Sequence, residues 1–333
     1  MPASIRYLDG AAVSAAMPPV GERLALAERT MTALVAEAEL PPKLGVHPTP
    51  AGSFAHAMPA LLRGSGSADD LLGIKWVTGF PGNRARDLPA IHAIVVLSDP
   101  RTGEPSAILD GGPITTHRTA AVSGVAIGRF GPSAAALGGR PPRAAIIGAG
   151  VQGHSHVEVL AHVAPGVELV VYDRHPTRTA ALVAAAAVTP GIGGATVASS
   201  ARDATAAADI VITVASFTTP EQRQAMTGAW LAPHALVVAV DYDTMCSAEV
   251  ARDAAMFLVD DRGQFVANRE AGLFGGYPDP QATLGEATLA GTLRPPTGRV
   301  VVTHLGVGLA DVVFANAIIQ RATEAGLGTV LER

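Results

Sequence analysis

Lysine is almost missing from this sequence. Its 333 residues hold 22 arginines and only two lysines, Lys43 and Lys75. A GC-rich coding bias favours Arg, Ala, Gly and Pro codons and would erase any lysine that arginine can replace. The two survivors are therefore candidates for positions that need a compact ammonium, whose pKa shifts on burial, rather than a guanidinium. Cysteine is scarcer still. Cys246 stands alone, which rules out an internal disulfide and a multi-thiolate zinc site. His154, His156, His162, His175 and His304 have no ligand spacing with carboxylates or that thiol, so no metal is expected. Charged residues make up only 16% and the net charge is −5. No basic surplus exists to neutralise a phosphate backbone, which argues against nucleic acid as a partner. No apolar run reaches the ~18 residues of a membrane span; the longest, around 180–188, reads as an alanine-rich helix. Residues 1–6 show no basic segment leading into an apolar one, so no secretory leader is expected and the cytoplasm is the expected compartment.

What is present is a large apolar fraction, 48%, enough over this length to bury a core and to exclude disorder. Residues 22–39 carry apolar positions at helical spacing, with Pro41 and Pro42 as the stop. Residues 72–80, 90–98 and 105–109 read as strands, the last two joined by a turn over Asp99-Pro100-Arg101-Thr102-Gly103. The first ~115 residues therefore predict an α+β region with a mainly antiparallel sheet. A helix rich in small residues follows at 115–130. Beyond it, apolar strands at 143–147, 167–172, 209–214, 235–240, 256–259 and 299–303 alternate with helices, the pattern of a parallel doubly wound α/β sheet. The last helix is expected at 309–326.

Between the strand 143–147 and the helix after it lies Gly148-Ala149-Gly150-Val151-Gln152-Gly153. A lone GxGxxG is weak evidence, but here it follows a strand, opens a helix, and has Asp173 at the end of the next strand. Gly148 permits the tight turn, Gly150 lets the backbone approach a pyrophosphate, and Gly153 lets helix and strand pack closely. The free N–H groups of the helix start face the phosphates. Asp173 would accept the adenosine ribose hydroxyls and repel a 2′-phosphate, which favours NAD, although Arg174 and His175 could admit NADP.

These motifs and others resemble the ornithine cyclodeaminase/mu-crystallin family over nearly the whole chain. Gly73-Ile74-Lys75-Trp76-Val77 with Gly79-Phe80-Pro81-Gly82-Asn83 looks like its lysine-bearing strand and loop. Leu109-Asp110-Gly111 with Thr116-His117-Arg118-Thr119-Ala120-Ala121 looks like its arginine-bearing helix start, and Ala239-Val240-Asp241-Tyr242-Asp243 like the strand end that carries its aspartate. The resemblance implies a Rossmann NAD-binding domain (121–307) beside an α+β dimerisation and substrate domain (1–120 together with 308–333), and hence a homodimer. It implies Lys75, Arg118 and Lys43 as cations on a substrate carboxylate, with Lys43 standing where many members have arginine. It also implies Lys75 and Asp243 as the catalytic pair, and cofactor contacts from Thr119, Val151, Gln152, Arg174, Val214, Ala215, Val240, His304 and Gly306 besides the glycines and Asp173. Asp241, two residues earlier, is a rival to Asp243, at a place where the family usually has a small residue. His56, in Ser53-Phe54-Ala55-His56-Ala57-Met58-Pro59, stands where ornithine cyclodeaminases carry a glutamate toward the substrate amine.

The residues and the resemblance converge on NAD(H)-dependent oxidoreduction of a small α-imino or α-amino acid. Two alternatives stay open at this point. One is ornithine cyclodeamination with internal NAD recycling, disfavoured by a histidine at 56. The other is cofactor-dependent binding without catalysis, disfavoured because a pure binder has no need of a proton donor.

Overall fold

A computed structural model describes residues 4–133 and 135–332. Residues 1–3, on which the leader expectation partly rests, lie outside the described residues. Among the described residues no helix is long and apolar enough to cross a membrane. The chain forms two compact units, one running to Arg118 and resuming at Gly306, the other spanning Thr119–Leu305.

The first unit opens with β1 (Ser4–Leu8), α1 (Gly10–Ala15), α2 (Val20–Ala33), β2 (Ala38–Glu39), β3 (Leu44–Val46), β4 (Phe54–Leu62), β5 (Leu71–Gly79), β6 (Ile91–Ser98), β7 (Pro105–Asp110) and the beginning of α3 (Gly111–Phe130). The second contains β8 (Arg143–Ile147), α4 (Val151–Val163), β9 (Val167–Tyr172), α5 (Pro176–Ala187), β10 (Ile192–Val197), α6 (Ala201–Thr205), β11 (Ile210–Thr213), β12 (Leu236–Ala239), α7 (Ala248–Arg252), β13 (Met256–Val259), α8 (Arg262–Glu270), β14 (Ala282–Thr283), α9 (Leu284–Leu289) and β15 (Val300–Thr303). The chain then returns to the first unit as α10 (Gly308–Glu324) and β16 (Thr329–Glu332).

In the first unit the strands run in the order β16-β1-β7-β6-β5-β4-β2, with β3 also on β4. The described pairs are antiparallel except β1 with β7. Strand alternation sends Gly73, Lys75, Val77 and Gly79 of β5 to the buried face and Leu72 and Trp76 to the other. Helix α10 packs on β4, β5 and β6, and on α2. A lysine in an inward-facing row must therefore find its partner within the protein.

The helix expected at 22–39 ends at Ala33: residues 34–37 turn, and Ala38–Glu39 pair with Leu62 and Leu61 of β4. The pairing of residues 38–39 with β4 overrides the helical periodicity that the sequence carries through to Glu39. No strand was expected over 54–62, where alanines and Pro59 weaken the pattern, yet β4 joins β5 over nine register pairs.

The second unit holds an all-parallel sheet in the order β10-β9-β8-β11-β12-β15-β13-β14. Every residue of β11, β12 and β15 is buried, which explains their unbroken aliphatic sequences: helices cover both faces. Strand order reverses between β8 and β11. That reversal is the switch point at which doubly wound sheets bind ligands, outside the carboxyl ends of their strands.

Candidate active site

At the switch point the three glycines of the loop after β8 have distinct roles. Gly148 has φ +113°, and a Cβ there would lie 2.5 Å from the Val214 carbonyl oxygen. A Cβ on Gly153 would lie 2.3 Å from the Gly148 carbonyl oxygen. One on Gly150 would meet nothing within 4 Å. Gly148 and Gly153 are thus required by the protein's own packing, whereas Gly150 borders open space at the start of α4. Gly150 is the N-cap of α4 and offers no side chain to the first turn. The leading N–H groups, from Val151 onward, have no intrahelical acceptor and are suited to phosphate oxygens.

Asp173, just beyond β9, accepts from the Ala149 N–H with Oδ2 (2.8 Å) and from the His175 N–H with Oδ1 (2.8 Å). The same carboxylate that would read the ribose therefore anchors the phosphate loop. Arg174 and His175 beside it are exposed and contact each other at 3.3 Å. On the other side of the switch point the Val214 N–H donates to Ile147, the Val240 N–H to Thr213, and the His304 N–H to Ala239. These bonds align the carboxyl ends of β8, β11, β12 and β15. Thr119 is buried in α3.

Asp241 and Asp243 flank Tyr242, a non-glycine residue at φ +59°. Such strain persists only where the surroundings enforce it. Here the Tyr242 hydroxyl donates to the Leu305 carbonyl (3.3 Å) and its ring packs edge-on to Phe217. Asp241 accepts from Thr213 Oγ1 (2.7 Å) and from the Ala215 N–H (3.1 Å), and burial raises its pKa to about 7. Asp243 is buried as well. Its Oδ2 accepts from the Phe274 N–H (3.0 Å), and Arg223 Nε lies 3.9 Å from Oδ1. Cys246 is buried and its thiol is pushed up to about 12, which removes it as a nucleophile.

The first unit gathers cations. Lys75 is 1% exposed, and its Nζ lies 2.7 Å from Asp311 Oδ2 and 3.5 Å from Thr115 Oγ1. Burial brings its pKa down to about 7; Asp311 opposes that fall, while Arg118 and Lys43 add to it. Arg118 donates through Nε to Asp311 Oδ1 (3.1 Å). Its Nη1 and Nη2 lie 2.6 and 2.9 Å from where a Cβ on Gly306 would be. Gly306, expected on the cofactor, is thus packed against the Arg118 guanidinium. One carboxylate serves two cations, leaving one positive charge and the outer donors of Arg118 for a second carboxylate.

His56 on β4 stacks on Phe54 at 4.6 Å and pairs across the ladder with Gly45, next to half-buried Lys43. Burial, then the charges of Lys43, His47 and Lys75, bring its pKa down to about 4. The ring is neutral at neutral pH and offers no negative charge to an amine.

Asp311 is the residue that the sequence reading missed. The signal was available: it is an acid in the first turn of α10, whose neighbours Leu309, Ala310, Val312 and Val313 are all buried apolar residues. The Ser123, His156 and His304 contacts described below were also missed, because nothing in their spacing joins them. Among the described residues no cluster of three or more potential ligands could hold a metal ion.

A doubly wound sheet with a complete phosphate loop, in one chain with a buried pair of cations suited to a carboxylate, defines the class: a nicotinamide-dinucleotide-dependent oxidoreductase of a small carboxylate-bearing molecule. The sequence pattern of the ornithine cyclodeaminase/mu-crystallin family matches residues 12–325, and the chain belongs to that family. It is 31% identical to the nodulation efficiency protein NfeD of Rhizobium meliloti, covering 88% of this chain and 87% of that one. It is 32% identical to the ketimine reductase mu-crystallin of Mus musculus, over 80% of this chain and 79% of the other. The fold matches that of Thermococcus litoralis Δ1-pyrroline-2-carboxylate reductase, solved with NADH and L-proline, with a TM-score of 0.82 at 24% identity over 98% and 99% of the two chains.

Proposed function

We propose that this protein is an NAD(H)-dependent reductase of α-imino acids, of the ketimine reductase type, working in reverse as an amino acid dehydrogenase. The observation that carries the reading is the Lys75–Asp311–Arg118 cluster: two buried cations on one anion, with the outer donors of Arg118 left over. An imino acid carboxylate completes its charge balance. Lys43 adds a further cation at the rim.

When bound, the nicotinamide supplies the hydride for the imine carbon. The protein's own work is binding and proton control. Lys75 and Arg118 hold the carboxylate and so fix the position of the carbon bonded to it, which removes much of the entropic barrier. Asp243, a buried carboxylate beyond β12, exchanges the proton at nitrogen. Gly150 and the start of α4 take the pyrophosphate, and Asp173 the ribose, which favours NAD. A neutral His56 suits a substrate without a second ammonium and places ornithine second.

The partner beyond the small molecule is a second copy. The sheet face opposite α10 leaves Tyr7, Leu72, Trp76 and Ile94 exposed, with Trp76 and Ile94 paired in register. An apolar face of this kind on one sheet fits burial against an identical one. The cytoplasm, where NADH is regenerated, is the proposed site of action.

The test offers NADH with Δ1-piperideine-2-carboxylate, with the same ring lacking the carboxylate, and, separately, L-ornithine with a trace of NAD+. Consumption of NADH only with the carboxylate-bearing ketimine supports the reading. Proline formed in excess of the NAD+ supplied would replace it with cyclodeamination.

A further inference from the structure

A second buried polar group lies wholly within Thr119–Leu305. Ser123, on α3, has its Oγ 2.8 Å from His156 Nε2 and 2.8 Å from His304 Nε2. His156 Nδ1 lies 2.6 Å from the Gln152 carbonyl oxygen. Ser123 and His156 are fully buried and His304 is 1% exposed.

The donors in this chain have only one consistent order. A carbonyl oxygen can only accept, so His156 carries a proton on Nδ1. Burial brings the His156 pKa down to about 4, so the ring is neutral and its Nε2 has a lone pair. The Ser123 hydroxyl therefore donates to His156 and accepts from His304, which holds its proton on Nε2. The chain reads His304 Nε2–H to Ser123 O–H to His156 Nε2, then His156 Nδ1–H to the Gln152 carbonyl.

Its two ends matter. Gln152 belongs to the first turn of α4, where phosphates would be received. His304 follows β15, in the half of the sheet beyond the switch point. By the two-halves rule of such sheets, that half takes the second nucleoside of a dinucleotide, the first lying on the Asp173 side. The next peptide is held too: the Leu305 N–H donates to Asp260 Oδ2 (2.9 Å) and its carbonyl accepts from Tyr242.

We propose that Ser123 and His156 are positioning residues: through one directed hydrogen-bond chain they hold His304 in a single tautomer and tie the nicotinamide end of the site to the helix turn that seats the pyrophosphate. This rests on the dinucleotide reading above. Ser123→Ala cuts the chain at its centre without touching either end.

The test combines three measurements. In the wild type, ring-nitrogen NMR should report Nδ1–H for His156 and Nε2–H for His304, and adding ADP-ribose, which lacks nicotinamide, should shift both rings. The opposite tautomer at His156, or a His304 signal indifferent to ADP-ribose, overturns the proposal without any variant. In Ser123→Ala, ADP-ribose affinity should hold while kcat for ketimine reduction falls about ten- to hundredfold, the scale of an ångström of misplacement. Equal losses for ADP-ribose and NADH, or an unchanged kcat, would make Ser123 purely structural. In a His304→Asn background, Ser123→Ala should cost kcat little more, and full additivity would refute the coupling. Failure of wild-type NADH binding would sink the dinucleotide reading itself, an outcome separate from any of these.

Discussion

Lys75 Nζ sits 2.7 Å from Asp311 Oδ2, and the other oxygen of the same carboxylate accepts from Arg118 Nε at 3.1 Å. Both side chains of the lysine pair are at most 2% exposed. A single buried anion thus keeps two cations in place while leaving them short of one negative charge. On the proposed reading a substrate carboxylate supplies that charge, so affinity and protein stability should both depend on the same cluster.

Replacing Asp311 with Asn leaves two buried cations without a counter-ion. The loss of one partner from a buried ion pair costs about 3–5 kcal/mol, read as a fall in unfolding free energy. Lys75 would also lose its proton more easily, so the KM for the imino acid should rise more than that for NADH. A variant as stable and as active as the parent would show that Asp311 does not hold the two cations.

The depressed pKa of Lys75, about 7, has two consequences of defined sign. The ammonium is present below about pH 7 and lost above it, so the KM for the carboxylate-bearing substrate should climb as pH rises through neutrality. In Lys75→Arg, whose charge does not titrate, that climb should vanish even though activity is low. Stability runs the other way. Between about 7 and the ordinary lysine value the unfolded chain binds more protons than the folded one, so this group's penalty is relieved as pH rises across that window. An alkaline KM rise that persists in Lys75→Arg would assign the ionisation elsewhere.

The glycines of the phosphate loop should separate by phenotype. Gly148→Ala forces a side chain into positive φ and into the Val214 carbonyl, at a cost of about 1–3 kcal/mol in backbone strain alone. Gly150→Ala meets nothing in the protein. It should leave the melting temperature unchanged yet weaken NADH binding by about 1.4 kcal/mol or more, tenfold in Kd. Normal NADH affinity in Gly150→Ala would place the pyrophosphate elsewhere.

On the proposed reading Asp173 sets the choice of cofactor. Asp173→Ser removes the charge that a 2′-phosphate would meet and leaves Arg174 alongside. The ratio of kcat/KM for NADPH over NADH should rise by about tenfold or more, the worth of one charge-assisted hydrogen bond. No change in that ratio would mean that the ribose is read by other groups. Because Asp173 also holds the Ala149 N–H, some loss of NADH affinity should accompany the switch.

Much of this was legible in the sequence because it is local. The glycine spacing, the acid after the next strand and the unbroken aliphatic strands each follow from one stretch of chain. The near absence of lysine marks Lys75 out, and the alternation of β5 turns it inward. What could not be read depends on distance. Asp311 lies 193 positions from Arg118, and Ser123 lies 181 from His304; no periodicity links such pairs. The end of α2 was misplaced for the same reason, since Ala38 answers to Leu62 of β4 rather than to its own helix. Lys43 and His56 were legible as positions, but the neutral state of His56 follows only from the burial and the neighbouring cations that the fold supplies.

The most direct measurement follows a labelled hydride. NADH deuterated on the transferable C4 face is mixed with the protein and Δ1-piperideine-2-carboxylate, and the product is analysed by mass and NMR. Pipecolate should carry one deuterium at the carbon next to the carboxylate for each NADH oxidised, with the yield collapsing in Arg118→Ala. Bound NADH that is never consumed, or deuterium that fails to reach that carbon, would contradict the proposed function.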